Sequence, residues 1–321
     1  MSPTKRSPDK GHEEKEDNIM RKGLTEIVFI LDRSGSMAGL EADTIGGYNS
    51  MLAKQKKEDG EAIISTVLFD DKIEVLHDRK DLMKVREITD RDYYVRGCTA
   101  LLDAVGKAIR HIGKIHKEDP EEAPEKTLFI ITTDGMENAS REYNYDKVKK
   151  MVEKKKEKHN WEFIFLGANI DAISVAGRFG VAPNRAVRFE NDGFGAELNY
   201  RAMSDMVSSA RSAGSAKAMS EAFETGQMLE PIREDYDEYI RYSESEEHEI
   251  SFSKDDYDAI AKIYPGLSER EKRVARVVFG LDGEKKHNVD EAARVLQTSS
   301  GRVLQIANKI KEKAGHGRRG R

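Results

Sequence analysis

The chain of 321 residues is 38% hydrophobic and 35% charged, with a formal net charge of −5. That length exceeds one comfortable core, so a soluble protein of two units plus connecting segments is expected, in the cytoplasm. No apolar run reaches the length of a bilayer span, and the first residues carry no apolar signal core, which argues against a membrane protein or a secreted one. A single cysteine, Cys98, excludes an internal disulfide and any multi-cysteine zinc site.

Residues 1–22 are polar, charged and poor in aromatics, the composition of a disordered segment. From residue 23 onward, β-rich runs alternate with amphipathic stretches. Strands are expected at 26–31 (EIVFIL), 62–69, 73–76, 128–132 (LFIIT), 163–166 and 186–189. Three of them are nearly continuous apolar runs, as parallel strands covered on both faces require. Helices are expected at 44–57, with Ile45, Tyr48, Met51 and Leu52 at helical spacing, and at 101–115, with Leu101, Val105, Ala108, Ile109 and Ile112. Further helices fall at 146–159, 171–179 and 196–211. The alternation predicts an α/β domain over 23–213, Rossmann-like, with a mostly parallel central sheet.

Residues 214–266 read as an acidic linker; within 230–258, twelve acidic side chains face three basic ones, a net charge of about −9. The sign then reverses, to about +7 over 268–321. Strand patterns are absent from this end. Helices are expected at 268–281, 290–296 and 302–313, a small all-α unit over 267–314 followed by a basic tail, 315–321, holding Arg318, Arg319 and Arg321. Two short helices joined by a tight turn suit a helix-turn-helix, although any helical hairpin gives the same spacing.

The chemistry concentrates where the first strand runs into Asp32-Arg33-Ser34-Gly35-Ser36. Asp32, Ser34 and Ser36 offer a carboxylate and two hydroxyls, the hard oxygen donors that Mg²⁺ or Mn²⁺ prefers. Alone, such a loop is more readily a polar turn. Thr99 at the head of a helix and Asp134 at the end of another strand change the balance, because a parallel sheet gathers its strand ends at one edge. Five oxygen donors from three separated stretches then predict one cation site. No G-x-x-x-x-G-K-[ST] loop occurs, so nucleotide binding is not expected. Ser34 and Ser36 lack a nearby histidine and a G-x-S-x-G elbow, so no enzymatic activity is expected. Cys98 is expected as a small packed side chain, His111 and His116 as surface groups, and the run at 154–158 as a solvated helix side.

These motifs resemble the von Willebrand factor A (vWA) family and its metal-ion-dependent adhesion site (MIDAS), over most of residues 24–212. Asp32, Ser34 and Ser36 match the D-x-S-x-S, Thr99 the separate threonine, and Asp134 the T-D-G aspartate. The resemblance implies that the hydroxyls approach the metal, that the aspartates act directly or through water, and that a protein partner's Asp or Glu completes the shell. The later text FIFLGANIDAISVAGRFG is similar to an intracellular bacterial branch.

The last fifty residues resemble region four of bacterial primary sigma factors, through Phe279-Gly280-Leu281-Asp282 and Val303-Leu304-Gln305-Ile306. That resemblance implies RNA polymerase and DNA as partners, with Arg302 and Gln305 as DNA contacts. Ser300-Gly301-Arg302 and Leu304 depart from the family's charged residues at the start of the recognition helix, which removes groups suited to base edges. The reading reached from the sequence is a metal-dependent adaptor linked to transcription machinery. A DNA-binding regulator with the vWA-like domain as sensor, and a vWA subunit of a metal-dependent remodelling assembly, are the alternatives.

Overall fold

The computed structural model describes residues 20–168, 171–244 and 252–319. Six strands form one sheet: β1 (Arg21–Asp32), β2 (Ala62–Phe69), β3 (Ile73–Asp81), β4 (Pro124–Thr133), β5 (Glu162–Ala168) and β6 (Ala186–Phe189). Their order is β3-β2-β1-β4-β5-β6, and all neighbours are parallel except β3, which returns antiparallel to β2. Strand β1 is flanked on both sides, with Ile27 opposite Ile64 of β2 and Leu128 of β4.

Side chains alternate between the faces of a strand, and the apolar residues divide accordingly. Ile27, Phe29 and Leu31 join one core with Tyr48, Met51 and Leu52 of α1 (Glu41–Gln55) and Met203, Met206 and Val207 of α5 (Gly193–Ser212). Val28 and Ile30 join a second core on the other face, under α2 (Leu101–Glu118), α3 (Tyr145–His159) and α4 (Ala172–Arg178). This part of the molecule is thus the expected α/β domain with a mostly parallel sheet, covered by helices on both faces.

The stretch expected as a linker is folded. Helices α6 (Ala216–Glu224) and α7 (Glu230–Ser243), with the turn between them, cover the first core with Met219, Phe223, Leu229 and Ile232. Apolar residues three or four apart are enough to seat a helix, and the many acids of this stretch occupy the remaining positions. Arg233 of α7 donates to the carbonyls of Asn184 and Ala186 at 3.4 and 3.3 Å, which ties α7 to the start of β6.

Helices α8 (Lys254–Ile263), α9 (Glu269–Phe279), α10 (Val289–Leu296) and α11 (Ser300–Arg319) surround a third core built on Val274, Val278, Ala292, Val303, Ile306 and Ile310. Phe194 of α5 belongs to this core, so the helical unit is docked on the sandwich. Most of the segment expected to be disordered lies outside the described residues, and Arg21 and Lys22 open β1. Within the expected basic tail, residues 320–321 lie outside the described residues. Among the described residues, no helix is long and apolar enough to cross a membrane.

Candidate metal centre

Parallel pairing of β1 with β4 brings the loops after Asp32 and Thr133 to the same edge of the sheet. Asp32 is held from three sides. Its Oδ1 accepts from the Ser34 amide at 2.7 Å, its Oδ2 from the Thr133 hydroxyl at 2.5 Å, and its carbonyl from the Tyr93 hydroxyl at 2.6 Å. A single turn, Gly35–Met37, then brings Ser36 beside Ser34, with 3.2 Å between their hydroxyl oxygens. Ser36 donates to Asp134 Oδ1 at 2.5 Å, closing the link between the two loops.

Thr99 comes in from the head of α2. Its amide donates to Asn138 Oδ1 at 2.9 Å, while its carbonyl accepts from the amides of Asn138 and Ala139. Glu137 and Asp103 extend this stitching by accepting amides across the same loop and helix. The convergence is clearest at Gly135. A Cβ placed there would lie 2.8 Å from Thr99 Oγ1, 3.2 Å from Ser36 Oγ and 3.6 Å from Ser34 Oγ. Three hydroxyl oxygens therefore face one point, kept open because residue 135 has no side chain.

The electrostatics fit a cation. Asp32, Ser34, Thr99 and Asp134 are buried and Ser36 is exposed, so the cluster opens to solvent on one side. Burial pushes the Asp32 carboxyl up to about 6, against the lowering effect of its Thr133 and Ser34 hydrogen bonds, and also raises Asp134. Two desolvated carboxylates beside three hydroxyls form a site that a hard divalent cation stabilises. Among the described residues, no group of three or more His, Cys, Asp or Glu could hold a metal ion. Without imidazole or thiolate, the donor set is all oxygen, the chemistry of a hard divalent-cation site.

The five predicted residues are thus brought together. The sequence reading missed Thr133, which secures Asp32, and Asn191, whose Nδ2 donates to Asp134 Oδ2 at 3.0 Å. Thr133 was within reach, standing beside Asp134 in the T-T-D-G run. Asn191 follows β6, and nothing in its local sequence points to the site.

Arg302 and Gln305 are a correction. Arg302 is 0% exposed, and its Nε donates to Asp192 Oδ2 at 3.0 Å and its Nη1 to Asp235 Oδ2 at 2.7 Å. Gln305 is buried too and donates to the Asp235 carbonyl at 2.9 Å. Both side chains point into the protein, because Asp192 at the head of α5 and Asp235 of the supposed linker provide their partners. Two smaller expectations also change. Cys98 is exposed rather than packed, and His116 sits against the buried Glu26 at 2.5 Å instead of on the surface. His111 does stand exposed, 2.9 Å from Asp78.

No protein-family model matches the chain, and no curated protein shows a significant match. Solved structures with a similar arrangement include the proximal thread matrix protein 1 of the mussel byssus with a zinc-occupied MIDAS motif (15% identity, TM-score 0.42, covering 59% of this chain and 47% of that one). They also include the ArnB paralog VWA2 of Sulfolobus acidocaldarius (18% identity, TM-score 0.37, covering 58% and 46%). A third is a von Willebrand factor type A protein of Catenulispora acidiphila (14% identity, TM-score 0.39, covering 58% and 42%). The matched region spans less than half the length of each of these three proteins.

Proposed function

We propose that this chain is a non-enzymatic, metal-dependent protein-binding protein, in which Asp32, Ser34, Ser36, Thr99 and Asp134 hold a Mg²⁺-type cation. The observation that carries the reading is the set of three hydroxyl oxygens within 3.6 Å of one point, beside two buried carboxylates. When bound, the cation supplies a Lewis-acidic positive centre for an anionic group of a partner. The neutral hydroxyls leave much of its charge unquenched, so an Asp or Glu side chain from outside is attracted to the open side. Exposed Met136 (74%) and Tyr94 (42%) stand on the neighbouring loops and offer apolar contact area around such an acid.

A binding role rather than a catalytic one is supported by the partners of the two serines. They hydrogen-bond to each other, Ser36 also donates to Asp134, and among the described residues no imidazole is bonded to either hydroxyl. The reading of the helical unit as a DNA reader loses its two named contacts to the interior, so a protein partner is the better-supported ligand.

Titration calorimetry with Mg²⁺ and Mn²⁺ tests the proposal. Asp134→Ala is expected to weaken metal binding at least tenfold while circular dichroism shows the fold retained. The same variant should lose metal-dependent capture of partner proteins. Parent-like metal affinity in the variant would count against the site.

A further inference from the structure

A continuous line of contacts leads from the candidate metal ligand Asp134 into the C-terminal helical unit. Asn191 Nδ2 donates to Asp134 Oδ2 at 3.0 Å and lies 3.5 Å from the Ser36 carbonyl. Its Oδ1 is buried without a protein partner, which marks this amide as part of the polar lining of the site. The next residue, Asp192, turns the other way. Its Oδ2 accepts from Arg302 Nε at 3.0 Å and from the Thr298 hydroxyl at 2.6 Å, while its Oδ1 caps α5 at the Gly195 amide, 2.7 Å away.

The loop between these contacts is tight. A Cβ on Gly195 would lie 1.9 Å from the Glu190 carbonyl oxygen, so residues 190–195 have little room to shift independently. The helical unit grips this loop closely. Phe194 is enclosed in the third core, with the guanidinium groups of Arg270 and Arg273 at 5.4 and 4.7 Å from its ring. At the head of α11, a Cβ on Gly301 would lie 2.5 Å from the Ser243 hydroxyl at the end of α7. Arg302 is the shared element, buried and divided between Asp192 and Asp235. Buried charges held by two acids are sensitive to displacement, because loss of one partner leaves another unpaired.

We infer that Asn191 and Arg302 are positioning residues of the metal centre, through which the docked helical unit holds Asp134 in its binding orientation. The inference rests on the proposed metal reading and adds the unit that controls it. Because a coupling between two equilibria is reciprocal, metal binding must in turn tighten the docking of α11. The route is local: it runs through Asp192 and bypasses the outer contacts of the unit, such as Lys309 with Glu238 at 3.8 Å.

The test uses the full chain. Hydrogen exchange of the parent with and without saturating Mg²⁺ is expected to show slower exchange of amides at 300–310 in the metal-bound state. Calorimetry with Mg²⁺ is expected to show roughly tenfold weaker binding for Asn191→Ala, the scale of outer-shell losses at metal sites, and a smaller loss for Thr298→Val. Thr298→Val removes one bond to Asp192 and leaves the buried charges paired, so it keeps the experiment informative where Arg302→Met fails to fold. Lys309→Ala should bind Mg²⁺ as the parent does. Parent-like affinity in Asn191→Ala and Thr298→Val, or an equal loss in Lys309→Ala, overturns the inference. Metal binding with unchanged exchange overturns the coupling alone, whereas a parent that binds neither Mg²⁺ nor Mn²⁺ overturns the metal reading and this one together.

Discussion

Gly135 bears more on the proposed chemistry than any of the donors around it. Its missing side chain is what allows Thr99, Ser36 and Ser34 to face a common point. Gly135→Ala should therefore abolish Mg²⁺ binding in calorimetry while the thermal transition moves little, since the added methyl meets three hydroxyls beside the site's open side rather than apolar core side chains. A large drop in melting temperature would mean that the residue serves folding instead. His77 gives a pH signature away from the site. It is buried against the Thr66 hydroxyl at 3.1 Å, and desolvation, reinforced by Lys80 and Arg86 and opposed by Asp92, lowers it to about 4. A histidine depressed on folding contributes stability that is complete above its ordinary value near 6.5. That contribution is lost as the pH falls from there toward 4, because the unfolded chain takes up the proton first. Denaturant midpoints measured from pH 7 to 4 should fall less in His77→Gln than in the parent.

Helices α6 and α7 are structural parts of the α/β layer. Met219 and Phe223 of α6 and Ile232 of α7 fill the face of the sheet that α1 and α5 leave open. Truncating either Met219 or Phe223 to Ala should cost about 2–5 kcal/mol in denaturant unfolding, the usual range for emptied core positions. A loss under 1 kcal/mol would show that α6 packs only loosely. The acidic run obscured this at the sequence level. Charge dominates its composition, while the apolar side chains that decide its structure number only a few and are spaced for a helix.

At the scale of the whole molecule, the two units are joined by buried polar contacts as well as by Phe194. Arg302, Asp192, Asp235 and Gln305 form a cluster whose members come from α5's leading turn, α7 and α11. A chain ending at Ser212 loses α6, α7 and this cluster together. Burying four large apolar side chains is worth about 6–12 kcal/mol as an upper figure, comparable to the whole stability of a domain. That fragment is expected to aggregate or to show no cooperative thermal transition; a sharp transition in calorimetry would contradict the packing described here.

Much of this architecture was legible in advance. Continuous apolar runs such as EIVFIL and LFIIT demanded parallel strands buried on both faces, and helical spacing at Leu101, Val105 and Ile112 demanded amphipathic helices between them. Local periodicity follows from backbone geometry, so elements and their order could be read directly. The five residues that the structure brings together could be named as well, because strand ends in a parallel sheet collect at one edge. What lay beyond reach was every relation between distant segments that local pattern does not encode. Asn191 meets Asp134 only because β6 lies two strands from β4, and Arg302 is buried only because Asp192 and Asp235 are waiting for it. An arginine at the head of a helix carries no mark that distinguishes a nucleic-acid contact from an internal ion pair. Burial and partner decide between them, and both are properties of the folded chain alone.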